Sequence, residues 1–185
     1  GITKYDGKEF TSYSTEEGLL DNQVFTVIVD QDEAIWAGTL NGGVAKFDGE
    51  KFSNYTVIEG LPDDGVISLL EDEDGFIWIG TNGGGLSRWD GNTFTTFNES
   101  DGLPGNRIRS LYQDPNGLIW IGIIGAGVTT YDGKAFKHYD QSDGLAGLIV
   151  RQVITTSKGE TWLVTNEGAS KFNQGKFITY REAHG

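Results

Sequence analysis

Two arginines, Arg109 and Arg151, are the residues of this sequence best suited to bind a charged ligand. They hold equivalent positions in two consecutive segments rich in β-branched residues, in a column that also contains Phe25 and Ile67. A guanidinium binds carboxylate or sulfate oxygens through paired hydrogen bonds. Two of them on adjoining strands therefore favour a uronic acid or sulfated sugar, with Arg107 as a supporting contact. The alternative is that they form salt bridges with Asp or Glu of the protein itself.

Further polar residues adjoin the predicted strands and can bind sugar hydroxyls, with Trp or Tyr as stacking platforms. The alternative is that the asparagines adopt left-handed turn conformations beside glycine. The positions concerned are Asn22, Asp64, Asn106 and Leu148 before the first strand of each unit, and Asn41, Asn82, Ile124 and Asn166 in a later loop. The candidate ligand-binding residues are Asn22, Asp64, Asn82, Asn106, Arg107, Arg109, Arg151 and Asn166.

Residues suited to catalysis are scarce. Of the two histidines, His138 falls in a predicted outer strand and His184 at the end of the sequence, so no general bases cluster. The lack of cysteine excludes thiolate nucleophiles, disulfides and sulfur-based zinc sites. A glycosidase-like carboxylate pair stays open, because Asp and Glu total 27. We expect a protein that is not an enzyme and that needs no cofactor.

The acidic segment 71–75 raises the question of calcium binding. It provides too few ligands at the spacing of an EF-hand loop. The corresponding segments 30–33 and 114–117 read Asp-Gln-Asp-Glu and Asp-Pro-Asn-Gly, which is typical of turns begun by Asp. We therefore expect a turn and no metal site.

The net charge of -13 repels phosphate backbones, so a nucleic-acid partner is not expected. The longest uncharged apolar run, 117–128, falls short of the ~18 residues needed to span a bilayer. The first twenty residues lack the apolar stretch of a signal peptide. The sequence starts with Gly and contains no Met, which suggests an excerpt or a processed product.

A repeat of 42 residues positions all these side chains. Aromatic-Asp-Gly triplets begin at 5, 47, 89 and 131, and Gly-Leu pairs at 18, 60, 102 and 144. Trp36, Trp78, Trp120 and Trp162 follow the same interval. These four fall mid-strand and are predicted to be core residues, whereas Trp89 belongs to a triplet and is predicted to pack a hairpin. Units of this length are typical of propeller blades.

Each unit reads as four antiparallel strands, A to D, separated by turn residues. In the third unit we predict strands over 108–113, 118–122, about 128–131 and 135–139. Strand B is apolar on both faces, which favours a propeller over a sandwich or solenoid. The expected fold is an all-β propeller region with a partial blade at 1–18 and four blades at 19–60, 61–102, 103–144 and 145–185. Its longer D–A and B–C loops share one rim, where binding is expected.

The segments Gly60 to Leu86 and Gly102 to Val128 begin with Gly-Leu-Pro and an apolar strand. The first continues as Asp-x-x-Gly-x-Ile-Trp-Ile-Gly-Thr-Asn-Gly-Gly-Gly-Leu. Both resemble the two-component regulator propeller repeat, and the similarity extends through every unit. The resemblance implies a periplasmic or extracellular sensor region of a bacterial hybrid histidine kinase, associated with detecting polysaccharide fragments. The fourth unit departs from the pattern at Ala146, Thr156 and Val164.

Strands A and B occur four times but the C–D hairpin five times, first at about Ile2–Tyr13 and last at about Ala169–Tyr180. One hairpin is surplus, so the arc is expected to be incomplete. The chain is then either an excerpt of a longer array or a homo-oligomer that closes its ring between chains. We expect a ligand-sensing module that recognises an oligosaccharide. The alternatives are a protein-protein interaction scaffold and a propeller lyase or hydrolase, which would need a histidine at the channel mouth.

Overall fold

The computed structural model describes residues 1–181 and is all-β, with single 3-10 turns at Glu99–Asp101 and Gln141–Asp143. Its strands form one two-stranded and four four-stranded antiparallel sheets, each a meander in chain order. The predicted blades and surplus hairpin are confirmed. The strands are β1 (Ile2–Tyr5), β2 (Phe10–Tyr13), β3 (Val24–Val29), β4 (Ile35–Thr39), β5 (Val44–Phe47), β6 (Phe52–Tyr55), β7 (Val66–Glu71), β8 (Ile77–Thr81), β9 (Leu86–Trp89), β10 (Phe94–Phe97), β11 (Ile108–Gln113), β12 (Ile119–Ile123), β13 (Gly127–Tyr131), β14 (Phe136–Tyr139), β15 (Val150–Thr155), β16 (Thr161–Thr165), β17 (Gly168–Asn173) and β18 (Lys176–Tyr180).

We call β3–β6, β7–β10, β11–β14 and β15–β18 blades 1 to 4, and β1–β2 the half-blade. The strand prediction for blade 3 is confirmed to within one residue. β12 begins after Leu118 because the N–H of Leu118 is held by Asp114 in the preceding turn. β14 likewise begins after Ala135, whose N–H is held by Asp132.

The first strands of the blades, β3, β7, β11 and β15, contact one another in sequence along the inside of the arc. We call them the inner strands. Trp36, Trp78 and Trp120 are buried in core clusters that include residues of the inner strand of the following blade. Their prediction as core residues is confirmed. Trp162 is half-buried, because no following blade covers it within residues 1–181.

The turn between the first two strands is held by an aspartate in blades 1 to 3. In blade 2, Asp72 Oδ1 accepts the N–H groups of Asp74 and Phe76, and its Oδ2 accepts the Trp78 indole N–H at 2.6 Å. Asp30 and Asp114 do the same in their own blades. The turn interpretation of 71–75 is therefore confirmed. Residues 1–181 contain no group of three or more His, Asp or Glu that could hold a metal ion.

A glycine lets each blade approach the next closely. A Cβ at Gly38 would lie 2.5 Å from Val66 Cγ1, and one at Gly122 would lie 2.7 Å from the carbonyl oxygen of Val150. Carbon atoms in contact are normally ~3.5–4.0 Å apart, so a larger residue would force the blades apart. Blade 4 carries Val164 at this position, and that side chain is exposed.

The hairpin at the outer end of blades 1 to 3, and that of the half-blade, is held by an aspartate, as Asp132 shows. Its Oδ1 accepts the N–H groups of Ala135 and Lys134 at 2.8 and 2.9 Å. Because these bonds favour the ionised form, they lower the pKa of Asp132 below its ordinary value of 3.8. Backbone N–H groups lower the pKa of Asp6, Asp48 and Asp90 in the same way.

We expect acid to destabilise the protein. The folded pKa of these carboxyls lies below the unfolded value, so their stabilisation is complete above about pH 4 and is lost as the pH falls through the folded values. The midpoint of urea unfolding should fall steadily as the pH is lowered from about 4 to about 2. Asp132→Asn should flatten that decline. A midpoint that rises over this interval would contradict the argument.

The five sheets form an open arc and do not close into a ring within residues 1–181. The inner edge strand of the half-blade, β1, pairs with β2 and with no other strand among residues 1–181. Val27 and Val29, on the inner strand of the neighbouring blade 1, are exposed. In the described part of the chain there is no helix with the length and apolar character needed to cross a membrane.

Candidate functional site

Every inner strand contains a β-bulge at the same place. The pairing register shifts between Val24 and Thr26 in blade 1, and at the equivalent point in the other three blades. A bulge leaves one residue out of the hydrogen-bonded ladder and changes the direction of its side chain. The residues left out are Phe25, Ile67, Arg109 and Arg151.

These four residues lie together in a groove of about 420 Å³, which we call the inner groove. Its wall is formed by the inner strands of all four blades. Phe25 and Arg151 are exposed, whereas Ile67 and Arg109 are half-buried. The structure thus places the predicted column on one continuous surface that is apolar at one end and cationic at the other.

The two guanidiniums of the inner groove have no partner within residues 1–181. Neither Arg109 nor Arg151 makes a side-chain hydrogen bond or an ion pair there, which disfavours the salt-bridge alternative. The ion pairs of the described chain are Lys46–Asp30, Lys171–Glu160 and Arg181–Glu167. The lining of the groove, which lies wholly within residues 1–181, contains no carboxylate. Both cations are therefore available to an acidic ligand.

The inner groove also contains an aromatic residue that the sequence reasoning missed. Tyr112 lines it, and its hydroxyl accepts the backbone N–H of Thr155 at 3.0 Å. This bond fixes the ring between blades 3 and 4. Its position in the repeat gives a signal, because the equivalent residues are the aliphatic Ile28, Leu70 and Ile154.

Three of the predicted rim residues hold their own loops. The Oδ1 atoms of Asn22, Asp64 and Asn106 each accept a backbone N–H from the residue seven positions earlier, at 2.8–3.1 Å. The donors are Thr15, Val57 and Glu99. These side chains fix the connection that leads into the inner strand, which is a structural role. Leu148, at the same place in blade 4, has no side chain that can do this.

The other rim residues differ in the hydrogen bonds that they form. Asn166 Oδ1 accepts the N–H of Ile149, and Asn41 Nδ2 donates to Asp21. Asn82 and Arg107 are exposed and make no side-chain hydrogen bond within residues 1–181. Ile124 of blade 3 contributes its backbone N–H to a bond with the carbonyl of Arg107.

The alternative interpretation, that the asparagines adopt left-handed turn conformations, is wrong. Among the described residues, the non-glycine residues with positive φ are Glu33 and Gln174. The glycines nearby take that conformation instead, as Gly43 does with φ 71° and Gly85 with φ 93°. The asparagines are free of backbone strain, and side-chain hydrogen bonds explain Asn22 and Asn106.

Histidine is far from the inner groove. His138 lies in β14, the outermost strand of blade 3, and its Nδ1 is 3.3 Å from Thr129 Oγ1. His184 lies outside the described residues. The groove therefore offers guanidinium, hydroxyl, amide and aromatic groups but no imidazole, which suits binding better than proton transfer.

Two stretches of the sequence, residues 60–83 and 102–125, match the family model described as Two component regulator propeller. They cover the Gly-Leu-Pro segment, the inner strand and the second strand of blades 2 and 3. The resemblance seen in the sequence is confirmed there. No curated protein sequence matches the chain.

Solved structures share the fold. The extracellular domain of the putative hybrid two component system BT3049 from B. thetaiotaomicron is 25% identical with a TM-score of 0.85, and the match covers 98% of this chain and 26% of that one. The corresponding domain of BT4673 from the same organism is 20% identical with a TM-score of 0.73, over 87% of this chain and 25% of that one. The chain thus spans about a quarter of these domains.

A virginiamycin B lyase from Staphylococcus aureus is also similar, at 16% identity and a TM-score of 0.69, over 86% of this chain and 55% of that one. At this identity the likeness is one of propeller fold. The family model and the structural match at 25% identity both concern two component regulators. Residues 60–83 and 102–125 are thus similar to repeats of the two component regulator propeller family.

Proposed function

We propose that this chain is a non-catalytic sensing region that recognises acidic oligosaccharides in the inner groove. The observation that carries the proposal is the pair of guanidiniums, Arg109 and Arg151, which lie on adjoining inner strands and have no partner among residues 1–181. Carboxylates and sulfates are the sugar substituents that such a pair binds best. Phe25 and Tyr112 add apolar and aromatic surface against which a sugar ring can pack.

The charge of the protein favours selectivity for this site. A chain with a net charge of -13 repels an acidic sugar over most of its surface, whereas the inner groove has two cations and no carboxylate in its lining. Such a ligand would be attracted to the groove and repelled elsewhere. Exposed Asn82, Arg107 and Asn166 on the rim are proposed as secondary contacts for a longer oligosaccharide.

The sensing role rests on the similarity to extracellular domains of hybrid two component systems. The inner groove contains residues from all four blades, so a ligand held there would link inner strands whose main contacts with one another are between neighbours. The contacts between blades would then relay the change towards a signalling kinase. The same similarity supports a location outside the cytoplasm.

Calorimetric titration with oligogalacturonides, with neutral malto-oligosaccharides as controls, tests this proposal. Arg109→Ala and Arg151→Ala should each weaken binding of the acidic series about tenfold or more, since a hydrogen bond to a charged group contributes about 1.5–3 kcal/mol. Lys158→Ala removes a positive charge from the turn at the opposite end of β15 and should leave the affinity unchanged.

Binding that is equal for neutral and acidic sugars would overturn the proposal, as would equal effects of Arg151→Ala and Lys158→Ala. A complete absence of sugar binding would favour the protein-protein scaffold instead. Release of unsaturated or hydrolysed products from the oligosaccharides would favour a lyase or hydrolase.

A further inference from the structure

The half-blade occupies the place of the outer two strands in a complete blade. Its register equates Tyr5 with Phe47 and Phe10 with Phe52, since both pairs lie opposite each other across the hairpin. Every residue of the half-blade can therefore be compared with its counterparts in blades 1 to 4. Three features of the half-blade and one of the neighbouring strand β3 lack, within residues 1–181, the contact that their counterparts make in a complete blade.

The first feature is an open strand edge. β5, β9, β13 and β17 each pair on one side with the outer strand of their blade and on the other with the second strand. Their counterpart β1 pairs with β2 alone among residues 1–181. Every strand of the described chain other than β1 and β2 already belongs to a four-stranded sheet. The strand that would complete this edge must therefore be supplied from outside residues 1–181.

The second feature is Lys4. Its counterparts in blades 1, 2 and 4 are Lys46, Arg88 and Lys171, which lie opposite the tryptophan of the second strand of their own blade. Their cationic groups stand 5.0, 5.6 and 5.9 Å from the centres of those rings. Blade 3 has Thr130 at this position. Lys4 has no tryptophan opposite it, because β1 has no neighbour on that side within the described chain.

The third feature is Tyr13. Its counterparts stack on the tryptophan of their own blade, with ring centres 5.9 Å apart for Trp36 and Tyr55 and 6.5 Å apart for Trp120 and Tyr139. Tyr13 keeps the contacts that such a residue makes with the next blade, to Phe47 at 4.8 Å and Phe52 at 5.8 Å. No tryptophan stacks on it within residues 1–181.

The fourth feature is the uncovered face of β3. Val27 and Val29 are 45% and 62% exposed. The counterparts of Val27 in blades 2 and 4 are Leu69 and Val153, which are 7% and 3% exposed. Each of these two residues shares a core cluster with the tryptophan of the preceding blade. Val27 is the position at which a further tryptophan would be buried.

We propose that this face binds an antiparallel β-hairpin of the same repeat, equivalent to β7 and β8. The second strand of the hairpin pairs with β1, which is strand addition to an open edge. Its tryptophan lies under Lys4, stacks on Tyr13 and covers Val27. A single tryptophan in this register thus contacts Lys4, Tyr13 and Val27. The backbone of the same strand pairs with the open edge of β1.

A second copy of this chain fits the face poorly. Within residues 1–181, all its second strands lie inside complete sheets and have no free edge to offer. The uncovered face of blade 4 carries Val164 where the other blades have glycine for close approach to the next blade. A repeat hairpin with free edges has neither restriction, and it completes the half-blade as a four-stranded sheet.

A fluorescein-labelled synthetic peptide of residues 66–81, which spans β7 and β8, tests the proposal on the intact chain by fluorescence anisotropy. We expect saturable binding that weakens about tenfold or more when the peptide carries Trp78→Ala, because a buried aromatic anchor dominates such interfaces. Val27→Asp and Lys4→Glu in the protein should each weaken binding as well. Val164→Asp, at the other end of the arc, should not.

Val27, Lys4 and Val164 are all exposed, so circular dichroism should show that each variant keeps the fold. Absence of binding would overturn the proposal, as would binding that ignores Trp78→Ala in the peptide or Val27→Asp in the protein. Light scattering that shows a dimer abolished by Val27→Asp would also overturn it, because the face would then be an interface between two copies.

Discussion

Replacement of Trp120 by alanine is expected to destabilise the protein by about 3–5 kcal/mol, the usual cost of removing a buried aromatic side chain. Trp120 is 1% exposed and lies in a core cluster with Val150 and Val153 of the next blade. Its indole N–H also donates to Asp114, so the substitution leaves a buried carboxylate oxygen without that donor. Urea unfolding followed by circular dichroism measures the loss.

Trp162→Ala is the matched control, because the same residue type occupies the same place in blade 4. Trp162 is half-buried, no blade follows it among residues 1–181, and its turn contains Thr156 in place of the aspartate. The loss should be less than half of that for Trp120→Ala. Equal losses would contradict the view that burial between blades, more than stacking within one blade, makes these tryptophans stabilising.

Substitution of Gly122 by valine is expected to have the second large effect, about 1–3 kcal/mol or more of destabilisation. A Cβ at Gly122 would lie 2.7 Å from the carbonyl oxygen of Val150, which is backbone and cannot rotate away. Blade 4 would have to move as a unit, and the contact between β11 and β15 would loosen. Thermal and urea unfolding both measure this effect.

Blade 4 has valine at the equivalent position, and this residue provides the control. Val164 is 42% exposed, so Val164→Gly should change the free energy of unfolding by less than about 1 kcal/mol. Comparison of Gly122→Val with Val164→Gly thus separates the effect of blade packing from the effect of intrinsic strand preference. A comparable effect at both positions would show that strand preference, not the approach of blades, decides the outcome.

The strand boundaries could be predicted well because hydrogen bonds between side chains and nearby backbone groups form the turns that separate the strands. In blade 3, Asp114 and Asp132 hold the N–H groups that follow them, so each turn stops at a residue that can be recognised from its type. The open arc also follows from the sequence, since counting repeated segments needs no knowledge of their packing.

The inner groove was only partly predictable. The column that includes Arg109 and Arg151 was found from the repeat, but the bulge that exposes it depends on the register between two strands. The residues at the bulge range from Phe25 to the two arginines, so no residue type marks it. The roles of Asn22 and Asn106 were missed because each bond closes a loop of seven residues whose path is set by packing.

NMR of arginine side chains during titration with oligogalacturonides tests the claim that the inner groove binds the ligand. The chain has five arginines, so five Nε–H signals can be followed and assigned with Arg→Lys variants. Arg88 stacks on the Phe76 ring at 4.5 Å and Arg181 bonds the Ala146 carbonyl, so both serve as internal references. We expect saturable shifts of Arg109 and Arg151 with a common affinity, while Arg88 and Arg181 stay unchanged. Saturable binding that leaves Arg109 and Arg151 unshifted would contradict the account.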